Sequence, residues 1–520
     1  MAMHRSQAVQ LELFTNRFRA IAGEMGEMLR RTALSTNVKE RLDFSCALLD
    51  ADGELVVNAP HIPVHLGALG LCVRRVREHL PIQPGDVIIT NHPAFGGSHL
   101  PDITLITPVF TPSGELAGYV ANRAHHAEIG GIRPGSMPPA AMCLAEEGVV
   151  IEPMHLIRAG TPHWQQIRAV LSREPWPSRS IEENLADLRA AVAANERGRL
   201  SLLALIDSHG LETVQHYMGA LKLHAEKHIR TALLKIGEGR HEATEHLDDG
   251  SPLRVIIDIK NGRVTVDFSG SAPVHSGNLN ATPAIVRSAL MYVLRLLVEE
   301  PLPLNEGLLN AVSLHLPAGL LNPEFPRDPF KAPAVVGGNV ETSQRLVDTL
   351  LKAFGLSACS QGTMNNVLFG NERFGYYETI CGGSGAGPGF HGADAVHTHM
   401  TNTRITDPEV LELTYPVRVE SFSLRKNSGG RGEFRGGDGV VRELHFLENV
   451  SLSVLTQHRS VAPYGGNGGD DGACGRQYVR RGDGTVIPLK PIDQYDIKAG
   501  DHFIIETPGG GGWGPPDETE

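Results

Sequence analysis

Apolar residues at Phe14, Phe18, Ile21, Met25, Met28 and Leu29 recur at helical spacing, so the chain is expected to open with an amphipathic helix facing a core. After Asn37 the pattern changes to the continuous run Leu42-Asp43-Phe44-Ser45-Cys46-Ala47-Leu48-Leu49, a strand with one acid near its start. Asp52-Gly53 marks a tight turn into Leu55-Val56-Val57. Further on, Ile103 to Phe110 is apolar and β-branched, Pro112-Ser113-Gly114 reads as a turn, and Tyr119-Val120-Ala121 reads as the returning strand. Such a hairpin brings Gly96-Gly97-Ser98-His99-Leu100-Pro101-Asp102 beside Arg123-Ala124-His125-His126-Ala127-Glu128, so that His99 and Asp102 face the two histidines.

A helical block follows. Ser180-Ile181-Glu182-Glu183 has the form of a capping box, with Ser180 at the N-cap and Glu183 three residues later. Ile181, Leu185, Leu188 and Val192 mark one helix, Leu202, Leu203 and Ile206 a second ending at Gly210, and Leu211 to Ile236 a third. Leu253 to Ile259, Asn261-Gly262 and Val264 to Phe268 spell a β-hairpin with a type I′ turn. Ser288 to Val298 is a mostly apolar helix, and Asn339 is placed to cap another. From Gly382 glycine becomes frequent, Val417 to Ile505 alternates short strands with turns, and Gly509 to Pro516 reads as a loose end. The fold class expected is α+β: multi-domain mixed sheets with a central helical block and a β-rich C-terminal region. The expected divisions are 1–175 (metal-bearing), 176–250 (helical), 251–380 (mixed) and 381–520 (Gly-rich, β-rich), since 520 residues exceed one core.

Composition narrows the function. A net charge of −12 without a basic stripe argues against nucleic acid as a partner. No apolar run is long enough to span a bilayer, and the N-terminal region, with Glu12 and Glu24, lacks the apolar core of a secretory signal. Six cysteines without a C-x-x-C pair favour a reducing cytoplasm over a disulfide framework or a Cys-rich zinc site. Gly382 to Gly387 could cradle a phosphate but lacks the Lys-Ser/Thr of a P-loop.

Eight of the 24 histidines lie between His61 and His155. Imidazole nitrogen with carboxylate oxygen is the ligand set of a catalytic divalent metal rather than of a structural cysteine site. Asp43, set in an apolar strand, needs a partner if it points inward: a metal, or a neighbouring Arg41 or Arg30. His65 precedes an apolar helix start, as a core histidine or an acid/base near the site. His397 to Thr403 is polar, either a solvated loop or a contact to substrate or subunit, and Pro138-Pro139 is extended backbone at a surface or a pocket edge.

The chain resembles the hydantoinase B/oxoprolinase family from Glu40-Arg41-Leu42-Asp43-Phe44-Ser45 to Pro508-Gly509-Gly510-Gly511-Gly512. The specific pieces are Ile62-Pro63-Val64-His65-Leu66-Gly67, Gly96 to Asp102, Ala124-His125-His126, Asp267 to Ser271, Gly338 to Ser343, Gln361 to Asn366, His399 to Thr403 and Ser428-Gly429-Gly430. Glu128 stands where the family is expected to carry Asp, and Ser98 where Thr is usual. The resemblance implies a two-part machine. An ATP-binding subunit of hydantoinase A type phosphorylates a cyclic amide, and a divalent metal in the part like this chain, zinc or manganese, readies water to open the ring. It implies His99, Asp102 and His125 as ligands with Asp43 a fourth candidate, His126 as alternative ligand or acid/base, and His65 as a further catalytic candidate. The hetero-oligomer would act on a hydantoin, 5-oxoproline or a lactam. The alternatives are a subunit of an ATP-dependent ketone carboxylase, betrayed by bicarbonate dependence, and a non-catalytic scaffold, betrayed by indifference to His99→Ala.

Overall fold

The structure, a computed structural model, describes residues 2–58 and 62–516. His61 lies outside the described residues. The fold is α+β. A seven-stranded antiparallel sheet carries the strands Leu55–Asn58, Phe44–Asp50, Leu116–His125, Asp102–Phe110, Val87–Thr90, Met154–Arg158 and Thr161–Pro162, in that spatial order. Alternation sends successive side chains of Phe44–Asp50 to opposite faces. Phe44, Cys46 and Leu48 join one core with the opening helix Ala2–Thr32, and Ala47 and Leu49 join another. As the periodicity predicts, Phe14, Phe18, Ile21, Met25 and Leu29 of that helix are buried, and Met28 is partly buried against the same core.

The helix beside it corrects two expectations. Ile181–His209 is one continuous helix, not two, and the Ser180 side chain makes no capping hydrogen bond. Gly198, inside it, leaves room for Met25 of the opening helix, so a residue that weakens the helical pattern is there for a close approach. The next helix, Leu211–Ile236, begins directly after Gly210.

Ala47 and Leu49 share their core with a four-stranded sheet built around the hairpin Pro252–Lys260/Arg263–Asp267. Asn261 and Gly262 both have positive φ, 52° and 66°, as a type I′ turn requires. The apolar helix Pro283–Leu296 starts earlier than expected, capped by Thr282 through its hydroxyl to the Ile285 N–H. Asn339 is not a cap. It sits in a π-helical turn, Gly338–Thr342, leading into the helix Ser343–Phe354. The approach to that turn is pinned by Glu147, whose carboxylate accepts the N–H groups of Val335 and Val336 at 2.9 and 2.8 Å. Pro138 and Pro139 are buried rather than at the surface, and their carbonyls accept from Asn278.

Residues 417–506 are all β among the described residues, forming a five-stranded antiparallel sheet and contributing two strands to a four-stranded one. The glycine tail is the largest correction. Gly509 to Gly512 are buried and threaded between three other glycine-rich stretches. Gly510 N donates to Gly437 O at 2.9 Å, Gly430 N to Gly510 O at 2.8 Å, and Gly512 N to Asp470 O at 2.9 Å. Gly437 N in turn donates to Ser384 O at 2.9 Å. A methyl group on Gly510 would overlap the Ser384 carbonyl, and one on Gly437 the Ala393 carbonyl. Backbone packed on backbone, with no side chain between, is what fixes this end of the chain.

Gly510→Ala is therefore expected to destabilise the C-terminal region, with thermal unfolding several degrees below wild type in calorimetry, while Gly219→Ala, in open space inside a helix, should not lower it. Glu147 gives a pH prediction. Burial pushes its carboxyl up to about 8, against the pull of the Val336 and Val335 N–H groups. The folded chain thus keeps a proton that the unfolded chain releases near 4.5, and stability falls as pH rises from there through about 8. Glu147→Gln is expected to melt above wild type at pH 8.5, with the gap closing by pH 5.

Candidate metal centre

The hairpin Asp102–Phe110/Leu116–His125 sets the site. Its register pairs Asp102 with His125, so the first residue of one strand lies directly opposite the last of the other. Phe44–Asp50 pairs on the far side of Leu116–His125, with Phe44 opposite Ala124, and the Asp43 carbonyl accepts the His125 N–H at 3.0 Å. Asp43 is thereby carried to the same end of the sheet. His99 lies one turn before Asp102, whose N–H donates to the His99 carbonyl at 3.2 Å.

Three of these side chains converge. His99 Nε2 lies 3.1 Å from Asp102 Oδ1, and His125 Nδ1 lies 3.4 Å from the same oxygen. One donor atom from each of the three falls within 4.8 Å of the others, and all three residues are buried. Ligand bonds of 2.0–2.2 Å in a tetrahedral arrangement separate the donors by roughly 3.3–3.6 Å, so each nitrogen already stands near that distance from the shared oxygen. Asp43 Oδ2 is 4.0 Å from His125 Nδ1, within reach as a fourth oxygen. The other ring nitrogens, His99 Nδ1 and His125 Nε2, are buried without a hydrogen-bond partner. An unpaired buried polar atom costs about 1–3 kcal/mol, so these two nitrogens, which are not the ones facing Asp102, call for a partner of their own.

Asp102 divides its two oxygens between two tasks. Oδ2 accepts from Ser98 Oγ at 2.6 Å and meets His65 Nε2 at 3.1 Å, while Oδ1 faces His99 and His125. His65, on the turn Pro63–His65, is fixed at its other nitrogen by Ser45 Oγ at 3.0 Å. Burial opposes the charge on Asp102, but the adjacent His99 and His65 rings outweigh it and hold the carboxyl well below the usual carboxylate range. Burial also pulls the His125 ring below its ordinary value, keeping it neutral and able to ligate.

The structure does not bring His126 into this group. Its strand neighbour His125 faces the site, and His126 turns to the opposite side, where Nδ1 meets Asn184 Nδ2 at 3.3 Å. There burial lowers its pKa to about 4 despite nearby Asp187. Arg41 and Arg30 do not pair with Asp43. Arg41 donates to the Tyr377 carbonyl at 2.6 Å and to Thr379 and Thr403, and Arg30 pairs with Glu27. Glu128 also lies apart, bound by Arg179 and by the Gly130 and Gly135 N–H groups.

Two residues escaped the sequence reading. Asn339 Nδ2 lies 3.3 Å from His99 Nε2, and its Oδ1 is buried without a partner. Tyr377 stacks on His125 with ring centroids 4.8 Å apart, and the Arg41 guanidinium covers Tyr377 at 4.7 Å. Asn339 stood in a motif but looked like a helix cap, and nothing in the local pattern singles out Tyr377. Asp43, His65, Asp102, His125, Asn339, Tyr377, Met400 and Thr401 are among the residues that line a small cavity of about 20 Å³. The segment around His399 is therefore buried at the site rather than solvated, with His399 Nε2 2.9 Å from Asp348 Oδ1.

A family model described as hydantoinase B/oxoprolinase matches residues 7–516. The chain belongs to the hydantoinase B/oxoprolinase family. It is 46% identical over 543 residues to 5-oxoprolinase 1 of Arabidopsis thaliana, a match covering 99% of this chain and 42% of that protein. The chain thus spans about two fifths of the length of curated relatives of this kind. Among solved structures, the ATP-dependent caprolactamase from Pseudomonas jessenii superposes with a TM-score of 0.88 at 26% identity, covering 98% of this chain and 91% of that one. A nucleotide-free acetone carboxylase reaches a TM-score of 0.87 at 16% identity, covering 100% of this chain and 77% of that one, and so shares the fold. Among the described residues of this family member, all six cysteines are unpaired and no helix is long and apolar enough to cross a membrane.

Proposed function

We propose that this chain is the metal-bearing half of an ATP-dependent cyclic amide hydrolase, opening a ring such as 5-oxoproline, a hydantoin or a lactam. The observation that carries the reading is the buried convergence of His99 Nε2, Asp102 Oδ1 and His125 Nδ1, with Asp102 and His125 lining a small cavity. An oxoprolinase relative and a caprolactamase neighbour, both named for cyclic amides, support it. Those three side chains would hold zinc or manganese, with Asp43 as a further oxygen donor. Such an ion supplies Lewis-acid chemistry and an oxygen nucleophile near neutral pH.

An unstrained lactam carbonyl resists attack, so the electrophile must be activated elsewhere. A partner of hydantoinase A type, or a fused equivalent, would place a phosphoryl group on the carbonyl oxygen and make it a good leaving group. This chain would receive the activated ring and position its carbon. His65 is the imidazole best placed to hold a proton during ring opening. It lines the cavity, is tethered at Nδ1 by Ser45, and points Nε2 at Asp102. His126, turned toward Asn184, would serve the fold instead. Tyr377, stacked on His125, and Ser98, bonded to Asp102, would hold the donors in place before any ion arrives.

Asp102→Ala is expected to lose bound metal at least 100-fold in affinity and to abolish turnover, yet still co-purify with the ATPase partner. His126→Ala should keep metal within threefold of wild type, as measured by elemental analysis after dialysis. The chain and partner together, given a panel of lactams and hydantoins, should open at least one ring only with ATP present. Product formation that also requires bicarbonate would replace the hydrolase with a carboxylase. Full activity in a metal-free preparation would sink the reading.

A further inference from the structure

A second and larger cavity, about 370 Å³, adjoins the metal cavity. The two share a wall. Ile62 lines both. Around it, consecutive residues alternate between them: Pro63 and Leu66 face the outer cavity, Val64 and His65 the inner one. Across the gap Thr401 faces inward and Asn402 outward. Ile62 is only 4% exposed, held by Ser45 Oγ through both its N–H and its carbonyl, at 3.3 and 3.5 Å. The same Ser45 hydroxyl fixes His65. Ile62 thus stands in the wall between the two, its backbone anchored to the hydroxyl that also holds His65.

The outer cavity has the make-up of a small-molecule vestibule. Its volume, about 370 Å³, is within the ordinary range for ligand pockets, about 300–1,000 Å³, whereas the inner cavity, about 20 Å³, has room for little more than an ion or a water molecule. Its far wall is the apolar loop Pro301 to Leu304. Arg295 shapes that loop, donating Nε to the Leu302 carbonyl, Nη1 to Val298 and Nη2 to Glu300 at 2.7–3.0 Å. Its charge is spent on backbone. Arg19, on the opening helix, also lines the cavity; it is exposed and makes no ion pair or hydrogen bond among the described residues. An apolar wall with one spare guanidinium suits a ring that carries an anionic group.

We propose that this outer cavity is the entrance to the metal centre, that Ile62 is the partition between them, and that Arg19 steers in the anionic, phosphorylated form of the cyclic amide. The inference rests on the reading of the three donors as a metal site. The route lets the activated ring present its carbon to the site while the phosphoryl group stays near the guanidinium, in a space open enough to hold it.

The test follows how fast the bound metal is stripped from the full chain. Wild type is first assayed for metal by elemental analysis, then mixed with excess dipicolinate, a dianionic chelator, or with neutral 1,10-phenanthroline. Ile62→Ala is expected to speed removal by both at least tenfold, and Asn402→Trp, at the exposed mouth, to slow both at least fivefold. Arg19→Glu should slow dipicolinate at least fivefold and leave phenanthroline within twofold. Asn371→Trp, in a different cavity, should leave both rates unchanged. A wild-type chain that loads metal but is stripped at the same rate whatever stands at 62 and 402 overturns the entrance. Equal slowing of both chelators by Arg19→Glu overturns the steering role. A wild-type chain that never holds metal brings down the metal reading itself, and this inference with it.

Discussion

Asp102 is a carboxylate buried to 1% exposure, and the surrounding architecture is the set of groups that make its charge tolerable. An isolated buried charge is expensive, and removing one partner of a buried pair typically costs about 3–5 kcal/mol. Here Ser98, His65, His99 and His125 all lie within 3.4 Å of its oxygens. None of them could do so without the register that sets Asp102 opposite His125. A shift of one residue would turn His126 to the cavity and His125 to the helix behind it. The hairpin register, more than any single side chain, defines the chemistry at this end of the sheet.

The rest of the chain can be understood as holding that end closed. The π-helical turn brings Asn339 to His99, and the buried Glu147 pins the residues that lead into it. Tyr377 comes from the strand Gly375–Thr379, far along the chain, and lies between His125 and Arg41. Arg41 ties that strand to the segment beside Asp43 through the Tyr377 carbonyl and Thr379. The site is therefore not the property of the first 130 residues, although every donor comes from them.

That division explains what could be read in advance. The donors were legible because each sits in a local motif, and because a hairpin is a short-range structure whose turn and alternation are written in adjacent residues. The choice between His125 and His126 was not legible, since two neighbours on a strand differ only in which face they take, and the face depends on pairing. Tyr377 and Asn339 were missed because their roles are contacts across more than 200 residues. Ser180 misled because its segment has the letters of a capping box while the geometry at Ser180 gives no cap hydrogen bond. The glycine tail misled for a related reason. Composition reports that a segment can adopt many conformations, but not that distant glycine segments wait to receive it.

The two cavities divide the chemical problem in a way that fits an activated substrate. A carbonyl phosphate is reactive toward any water, so it should meet its nucleophile only after leaving bulk solvent. The inner space is small and lined by buried residues, with Asp102 and His125 of the converging donors in its wall. The outer space is larger and mostly apolar, with its spare charge at the rim rather than beside Asp102. On the proposed reading, a guanidinium close to the three donors would instead set one cation against another. On that same reading, a guanidinium in the outer cavity and metal donors in the inner one, with Ile62 lining both, would act on one molecule without opposing each other.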